Sequence, residues 1–255
     1  MDLGDRIKSY ERAYDIYMPS RLPVIVRVDG KGFSKWTKKV GCKKPFDHDL
    51  SRGMSYAMVK TAENIEGCVF GFTQSDEITF ILKNDQSLES TPWFGNRVQK
   101  MASVIASMVS AHFGSNMVPP PVAYFDARIF IVPSCQEAIN CLIWRQQDAT
   151  KNSISSACYY EVANKTGKKT ARKKMHGLNQ KQQQELLFQE TKINWNNYPT
   201  KFKRGTGCYK VEKEMALNGN TFMRSSWYTD EELPVFAQNQ DFLKEIIGFD
   251  IGDTN

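Results

Sequence analysis

The chain has 255 residues, 41% hydrophobic and 24% charged, which excludes disordered and fibrous classes. No stretch approaches 18 apolar residues, and the polar start MDLGDRIKSYERAYD lacks a secretory apolar run. These features exclude a membrane span and predict a reducing, cytoplasmic setting for the six cysteines, none in a CxxC pair. The net charge is +6, with acid-free basic runs at 31–44 and 165–181 and a weaker cluster at 201–210, a pattern suited to phosphate backbones.

Residues 4–17 predict a first helix, with Ile7, Tyr10, Tyr14 and Tyr17 at helical spacing. Residues 23–28, PVIVRV, predict a strand that breaks at Asp29-Gly30. A basic loop or short helix spans 31–48. Asp47 to Glu66 predicts a helix with Leu50, Met54, Ala57, Met58, Thr61 and Ile65 as its apolar stripe. Strands at 68–74 and 77–83 follow, separated by a turn containing Ser75-Asp76. Residues 95–113 predict an amphipathic helix facing inward through Val98, Met101, Ile105, Met108 and Val109. Residues 122–132 predict a fourth strand. The order β-α-β-β-α-β is that of an α+β, ferredoxin-like core over 1–135.

Residues 136–255 predict a helical and irregular extension packed on that core. A helix is expected over 134–163, with polar interruptions near 148–153, then a basic, glutamine-rich segment and a short helix from Lys181. Residues 191–213 predict irregular structure and short strands with Gly205 and Gly207 as turns, followed by a Trp227-Tyr228 strand and a helix at 230–247.

In this topology the strand ending at Asp29 lies beside the hairpin carrying Asp76. Two carboxylates and the Gly30 carbonyl make the sparse oxygen shell that magnesium accepts. With two ions, an attacking hydroxyl is activated and a leaving pyrophosphate held. Asp-Gly after a strand and Ser-Asp at a hairpin tip are also ordinary turn sequences. Lys31 and Gly32 extend the first turn, whose backbone N–H groups suit a triphosphate. No GxxxxGK[ST] or GxGxxG sequence is present.

The runs VRVDGKGFSKW at 26–36, GFTQSDEITF at 71–80, YFDARIFIVP at 124–133, WRQQDATKNSIS at 144–155 and FKRGTGCYK at 202–210 resemble the tRNA-histidine guanylyltransferase superfamily, including its 3′-to-5′ polymerase-like branch. The resemblance covers about residues 5–215. It implies a polymerase-type palm in which Asp29, the Gly30 carbonyl and Asp76 hold two Mg²⁺ ions, Asp29 and Asp76 being the catalytic pair. It implies ATP activation of a tRNA 5′-monophosphate, then attack by the 3′-hydroxyl of GTP or another nucleoside triphosphate. Lys31, Lys44 and Ser75 would contact the triphosphate. Gly32 and Phe33 would shape the nucleotide loop, Phe33 being alternatively a core aromatic. Arg27 would reach a phosphate or form a structural ion pair, and Glu77 and Asp148 would be outer-shell or structural.

The family's histidine-specific enzymes carry His-Ile-Asn-Asn-Leu-Tyr where this chain has Thr150 to Ser155, only Asn152 surviving of the histidine and two asparagines. That departure favours the branch that repairs 5′-truncated tRNA, with histidine-tRNA guanylylation as the alternative and a non-catalytic RNA-binding module as another. Arg128, Arg145, Asp148 and Lys181 match polar positions of the family. Arg145 and Lys181 are candidate phosphate or tRNA contacts, an Arg145–Asp148 pair being the structural alternative. Lys168, Lys169, Arg172, Lys173 and Lys174, in a run with the composition of a mobile arm, would join Lys201, Lys203 and Arg204 in a tRNA surface. Trp144 and Trp195 are expected in the core. The resemblance further implies a homotetramer with no membrane partner.

Overall fold

The computed structural model describes residues 1–115, 122–217 and 220–248. Four strands form the centre: β1 (Val24–Gly30), β2 (Cys68–Gln74), β3 (Glu77–Leu82) and β4 (Phe125–Ile131). They pair antiparallel in the order β4-β1-β3-β2, the ferredoxin-like arrangement expected from the element order. Two longer strands, β5 (Thr206–Leu217) and β6 (Asn220–Asp230), extend this sheet from the β2 side. The sheet thus runs continuously from residues before 135 to residues after it.

Strand alternation explains the two faces. Val24, Val26 and Val28 of β1 join Ile78, Phe80 and Leu82 of β3 on one face, under α3 (His48–Ala62) and α4 (Val98–Ser115). Met54, Met58, Met101, Ile105 and Val109 of those helices fill the space above them. Ile25, Ile81, Phe70 and Phe72 point the other way, against Ile139 and Leu142 of α5 (Cys135–Thr166) and Leu243 of α9 (Gln240–Ile247). Each fully buried aliphatic or aromatic side chain contributes about 1.5–3 kcal/mol. The sheet is therefore clamped from both sides, and its strand ends are held rigidly.

The distal half of α5 builds a third cluster with α6 (Lys168–Met175) and α7 (Gln180–Thr191), through Ile154, Ala157, Cys158, Val162, Ala171 and Leu187. Asn179 and Gln182 close a capping box at the start of α7. The basic run at 165–181 is thus mostly helical, not an extended arm.

Several expectations are corrected. The helix α5 runs unbroken through 148–153, because the polar residues there sit on its outer face or find partners. Gly207 lies inside β5, where an added Cβ would meet Leu233 at 2.9 Å. Residues 231–239 precede α9 rather than belonging to it. The first helix, α1 (Leu3–Arg12), is shorter than expected and buries none of its residues. Trp195 is in the core as expected, but Trp144 is 50% exposed.

Candidate active site

The sheet register sets the site. Asp29 of β1 stands opposite Glu77 of β3 on one side and Asp126 of β4 on the other. Directly paired residues share a face, so three carboxylates form a row across the strand ends. One pleat back, Arg27 stands beside Arg128 and Thr79. An acidic row is thus backed by a basic one.

Asp76 joins the acidic row from the β2–β3 turn. Ser75 takes the left-handed conformation there, with φ of 57°. Its hydroxyl donates to Asp76 Oδ1 at 2.9 Å. The Gly30 N–H donates to the Asp76 carbonyl at 3.1 Å, tying the hairpin turn to the end of β1. Burial pushes the Asp76 carboxyl above its usual pKa, and the charges of Asp29 and Glu77 push the same way. A group in that setting is relieved by a cation. Among the described residues, no three His, Cys, Asp or Glu side chains converge as a metal cage. Two carboxylates with carbonyl oxygens fit instead a hard cation that keeps water and phosphate ligands.

Glu77 faces the same side as Asp29 and is occupied by arginines. Arg27 lies 3.5 Å from it, and Arg145 from α5 makes a close ion pair with it. Arg145 also bonds Asp148 at 3.2 Å, and Asn152 donates to the same Asp148 oxygen. Both arginines flank Trp144, with guanidinium carbons 5.1 Å and 4.6 Å from its ring centroid. This explains why an exposed tryptophan is tolerated. Arg128 reaches Asp126 at 3.8 Å and Asp29 at 4.0 Å.

Beside the carboxylates opens a cleft of about 450 Å³, lined by Phe33, Thr37, Lys44, Ser75, Asp76, Arg145, Asn152 and Lys201, among others. Its floor begins at α2 (Phe33–Val40), whose N-cap is Gly32 in the left-handed conformation, φ 68°. The N-terminal end of that helix favours anions. Lys44 is held over the Tyr160 ring and bonds the Thr37 hydroxyl at 3.4 Å. Lys31 is exposed, and its backbone N–H donates to the Tyr124 carbonyl at 2.8 Å. Phe33 is buried against Trp36, Phe113 and Phe125 while still forming part of the cleft wall. Opposite, Phe46 stacks on Phe202 at 5.0 Å and nearly parallel.

The basic run at 165–181 contributes no residue to the lining of this cleft, whereas Lys44 and Lys201 of the other two runs do. Lys174 pairs with Glu190, and Arg172 covers Tyr159. Lys168, Lys169, Lys173 and Lys181 are exposed on α6 and α7. Lys201 pairs with Glu231 while lining the cleft. Lys203 bonds the Asn196 carbonyl, and Arg204 lies 3.4 Å from the Thr200 hydroxyl, both from α8 (Thr200–Arg204). Thr150 donates to the Lys203 carbonyl at 3.1 Å, and Ser153 accepts the Trp195 indole N–H.

Sequence reading missed Asp126, Thr37, Tyr160 and the Phe46–Phe202 stack. Asp126 carried a usable signal: it alternates with Arg128 on a strand whose intervening residues are apolar. The others come together only through tertiary contacts.

Residues 4–133 match the family described as Thg1, tRNAHis guanylyltransferase, and residues 136–242 match the Thg1 C-terminal domain. A probable tRNA(His) guanylyltransferase of Drosophila melanogaster is 30% identical over 78% of this chain and 70% of its own length. A bacterial tRNA(His) guanylyltransferase (Thg1)-like protein solved with ATP is 38% identical, with a TM-score of 0.83 over 97% of this chain and 100% of its own. A bacterial Thg1-like protein solved with GTP is 39% identical, with a TM-score of 0.80 over 97% and 99%.

Proposed function

The chain belongs to the Thg1, tRNA-histidine guanylyltransferase, family, and we propose that it transfers a nucleotide to the 5′ end of a tRNA from a nucleoside triphosphate. The observation that carries this is the joining of Asp29 and Asp76, by the Gly30–Asp76 backbone bond, at the rim of a cleft lined by Lys44 and Ser75. The ATP and GTP complexes of the bacterial relatives support nucleoside triphosphates as its ligands.

In this reading the triphosphate lies in the cleft. Its charge meets the α2 N-terminus, the Lys44 ammonium and the Ser75 hydroxyl. Phe33 and the Phe46–Phe202 stack exclude water along the walls. Asp29, Asp76 and the Gly30 carbonyl would hold magnesium, which when bound lowers the pKa of the attacking hydroxyl and neutralises charge on the phosphate. ATP first gives an adenylylated 5′ end and pyrophosphate. The 3′-hydroxyl of the incoming nucleotide then displaces AMP, forming the new phosphodiester bond. Arg145 acts from behind: bound to Glu77 and Asp148, it fixes the row in which Asp29 stands. The exposed lysines of α6 and α7 supply a surface for the RNA backbone, which positions a folded RNA without reading its sequence.

The choice of tRNA has two supported readings. The family description and the curated relative's name favour guanylylation of histidine tRNA. The Thr150–Ser155 run, which departs from the pattern of the histidine-specific enzymes, favours repair of 5′-truncated tRNAs. Intact histidine tRNA and 5′-truncated tRNAs, each offered all four labelled triphosphates with magnesium, separate them. Addition of one G to the intact tRNA alone selects the first. Extension of truncated tRNAs according to the opposite strand selects the second. No labelling of either RNA refutes the transferase reading and leaves the RNA-binding one.

A further inference from the structure

Trp144 stands beside the acidic row without a part in it. A singly exposed apolar side chain is ordinary, but the position of this one is specific. It is 50% exposed on α5, and the guanidinium carbons of Arg27 and Arg145 lie 5.1 Å and 4.6 Å from its ring centroid. Both arginine side chains are themselves largely buried, at 17% and 8% exposure. They therefore hold the indole from its inner side. The half of the ring that water reaches is covered by neither.

Its place is set by those two cations. Arg27 and Arg145 both pair with Glu77, the register partner of Asp29, so the indole stands one side chain away from the carboxylates. Directly opposite Arg27 on β4 is Arg128, 61% exposed and 4.0 Å from Asp29. The triphosphate cleft is lined by Asp76, Glu77 and Arg145, whereas Asp29, Arg27, Arg128 and Trp144 are not among its lining residues. The acidic row thus borders two surfaces: the cleft, and an exposed patch made of an indole face and a guanidinium.

Transfer to an RNA end calls for both surfaces. In the nucleotidyltransferase reading above, on which this inference rests, the triphosphate fills the cleft, so the RNA 5′ phosphate has to reach the same carboxylates from outside it. We propose that Trp144 is the platform on which the 5′-terminal base of the RNA stacks, with Arg128 against the 5′ phosphate of that nucleotide. Every base has a π face, so stacking on an aromatic side chain holds an RNA end without reading its sequence. A guanidinium meets a phosphate at two points and fixes its orientation. A nucleotide held at its base and at its phosphate presents the reacting phosphorus in one geometry, which is how binding lowers a barrier. Arg27 and Arg145 are then positioning residues for the ring, their cation–π contacts keeping it upright beside the row.

The test is equilibrium binding of a 5′-monophosphorylated, 5′-truncated tRNA to the full-length protein with no triphosphate present. Trp144→Ala is expected to weaken binding by about ten-fold, and Trp144→Phe, which keeps a π face, to return most of the loss. A second RNA carries an abasic 5′-terminal nucleotide. The wild type should bind it about ten-fold more weakly than the intact RNA, and Trp144→Ala should bind it as the wild type does. Equal losses from Trp144→Ala on both RNAs overturn the proposal, because the ring then serves only to hold Arg27 and Arg145. Unchanged binding of the intact RNA by Trp144→Ala overturns it as well. The wild type should also prefer a 5′ monophosphate to a 5′ hydroxyl, and Arg128→Gln should lose that preference. A wild type without the preference, or a variant that keeps it, overturns the assignment of Arg128. Binding is read without turnover, so these failures are distinct from failure of the transferase reading, which is the absence of labelling of any RNA by the wild type.

Discussion

The backbone N–H of Gly30 donates to the carbonyl oxygen of Asp76 at 3.1 Å, so the end of β1 and the tip of the β2–β3 hairpin are one rigid unit. The contact uses main-chain atoms only, and replacing the Asp76 side chain leaves it in place. Asp76→Ala also removes a partly buried carboxylate whose burial and acidic neighbours work against its ionisation. We expect the variant to fold with a melting temperature at or above that of the wild type. Both adenylylation and nucleotide addition should fall by about a thousand-fold, as loss of about 4 kcal/mol of transition-state charge stabilisation requires. Single-turnover assays with labelled ATP and with labelled GTP check the two steps. Near-normal rates in either step would falsify the role of Asp76 as a shared ligand.

Gly30 has a second constraint. A Cβ built there would stand 2.2 Å from the Phe33 ring, which is itself wedged between Trp36, Phe113 and Phe125. The ring cannot retreat, so Gly30→Ala displaces either the end of β1 or the start of α2. The expected cost is about 1–3 kcal/mol, with reduced triphosphate affinity because Gly32 moves with the helix. Adding Phe33→Leu should return part of the lost stability, giving a favourable coupling in a double-mutant cycle from urea unfolding. Strictly additive effects would show that the glycine is needed for another reason.

The hairpin and the first strand were legible because their signals are local. PVIVRV, the two seven-residue apolar runs and the Ser75-Asp76 turn each name their own structure. The antiparallel order then follows from the element order. The second half was less legible because its determinants are distant. Asp148 and Asn152 read as interruptions of a helix until Arg145 and the turn of α5 bring them together. Gly207 reads as a turn until Leu233 is seen occupying the space of its missing side chain. Trp144 reads as core, yet two arginines attract it to the surface. The two carboxylates were found from strand ends. Asp126, on the same row, was passed over although Arg128, two residues along the same strand, was named.

Arg145 is nearly buried and serves Glu77 and Asp148 at once. Arg145→Met keeps its length and its packing on Trp144 but leaves two carboxylates without their shared cation. Breaking a buried pair costs about 3–5 kcal/mol; both partners here are about one-third exposed, and water screens them. A loss of about 2 kcal/mol is therefore expected, lowering the melting temperature by about 4–8 °C. Asp148→Asn in the same chain should recover stability, since Arg145 is the cation paired with that carboxylate, whereas Glu77 keeps Arg27 at 3.5 Å. A double variant less stable than Arg145→Met would contradict this electrostatic account.

Asp47 links stability to the triphosphate cleft through pH. It caps α3 by accepting from the Leu50 N–H at 2.8 Å, and it accepts from the Lys43 N–H at 2.7 Å, which fixes the loop bearing Lys44. Partial burial pulls its carboxyl upward, but the backbone donors outweigh that, leaving its folded pKa below the usual 3.8. A depressed folded value means that the stabilisation is fully present above the unfolded value and is lost as pH falls through the folded one. Asp47→Ala should cost about 1–2 kcal/mol at neutral pH. The gap should hold at pH 5 and narrow below about pH 4, as measured by urea unfolding at each pH. The same variant frees the 43–47 loop, so affinity for the triphosphate should drop at neutral pH even where the fold is intact. A stability gap that stays constant down to pH 3 would mean that Asp47 acts by packing and not as a charged acceptor.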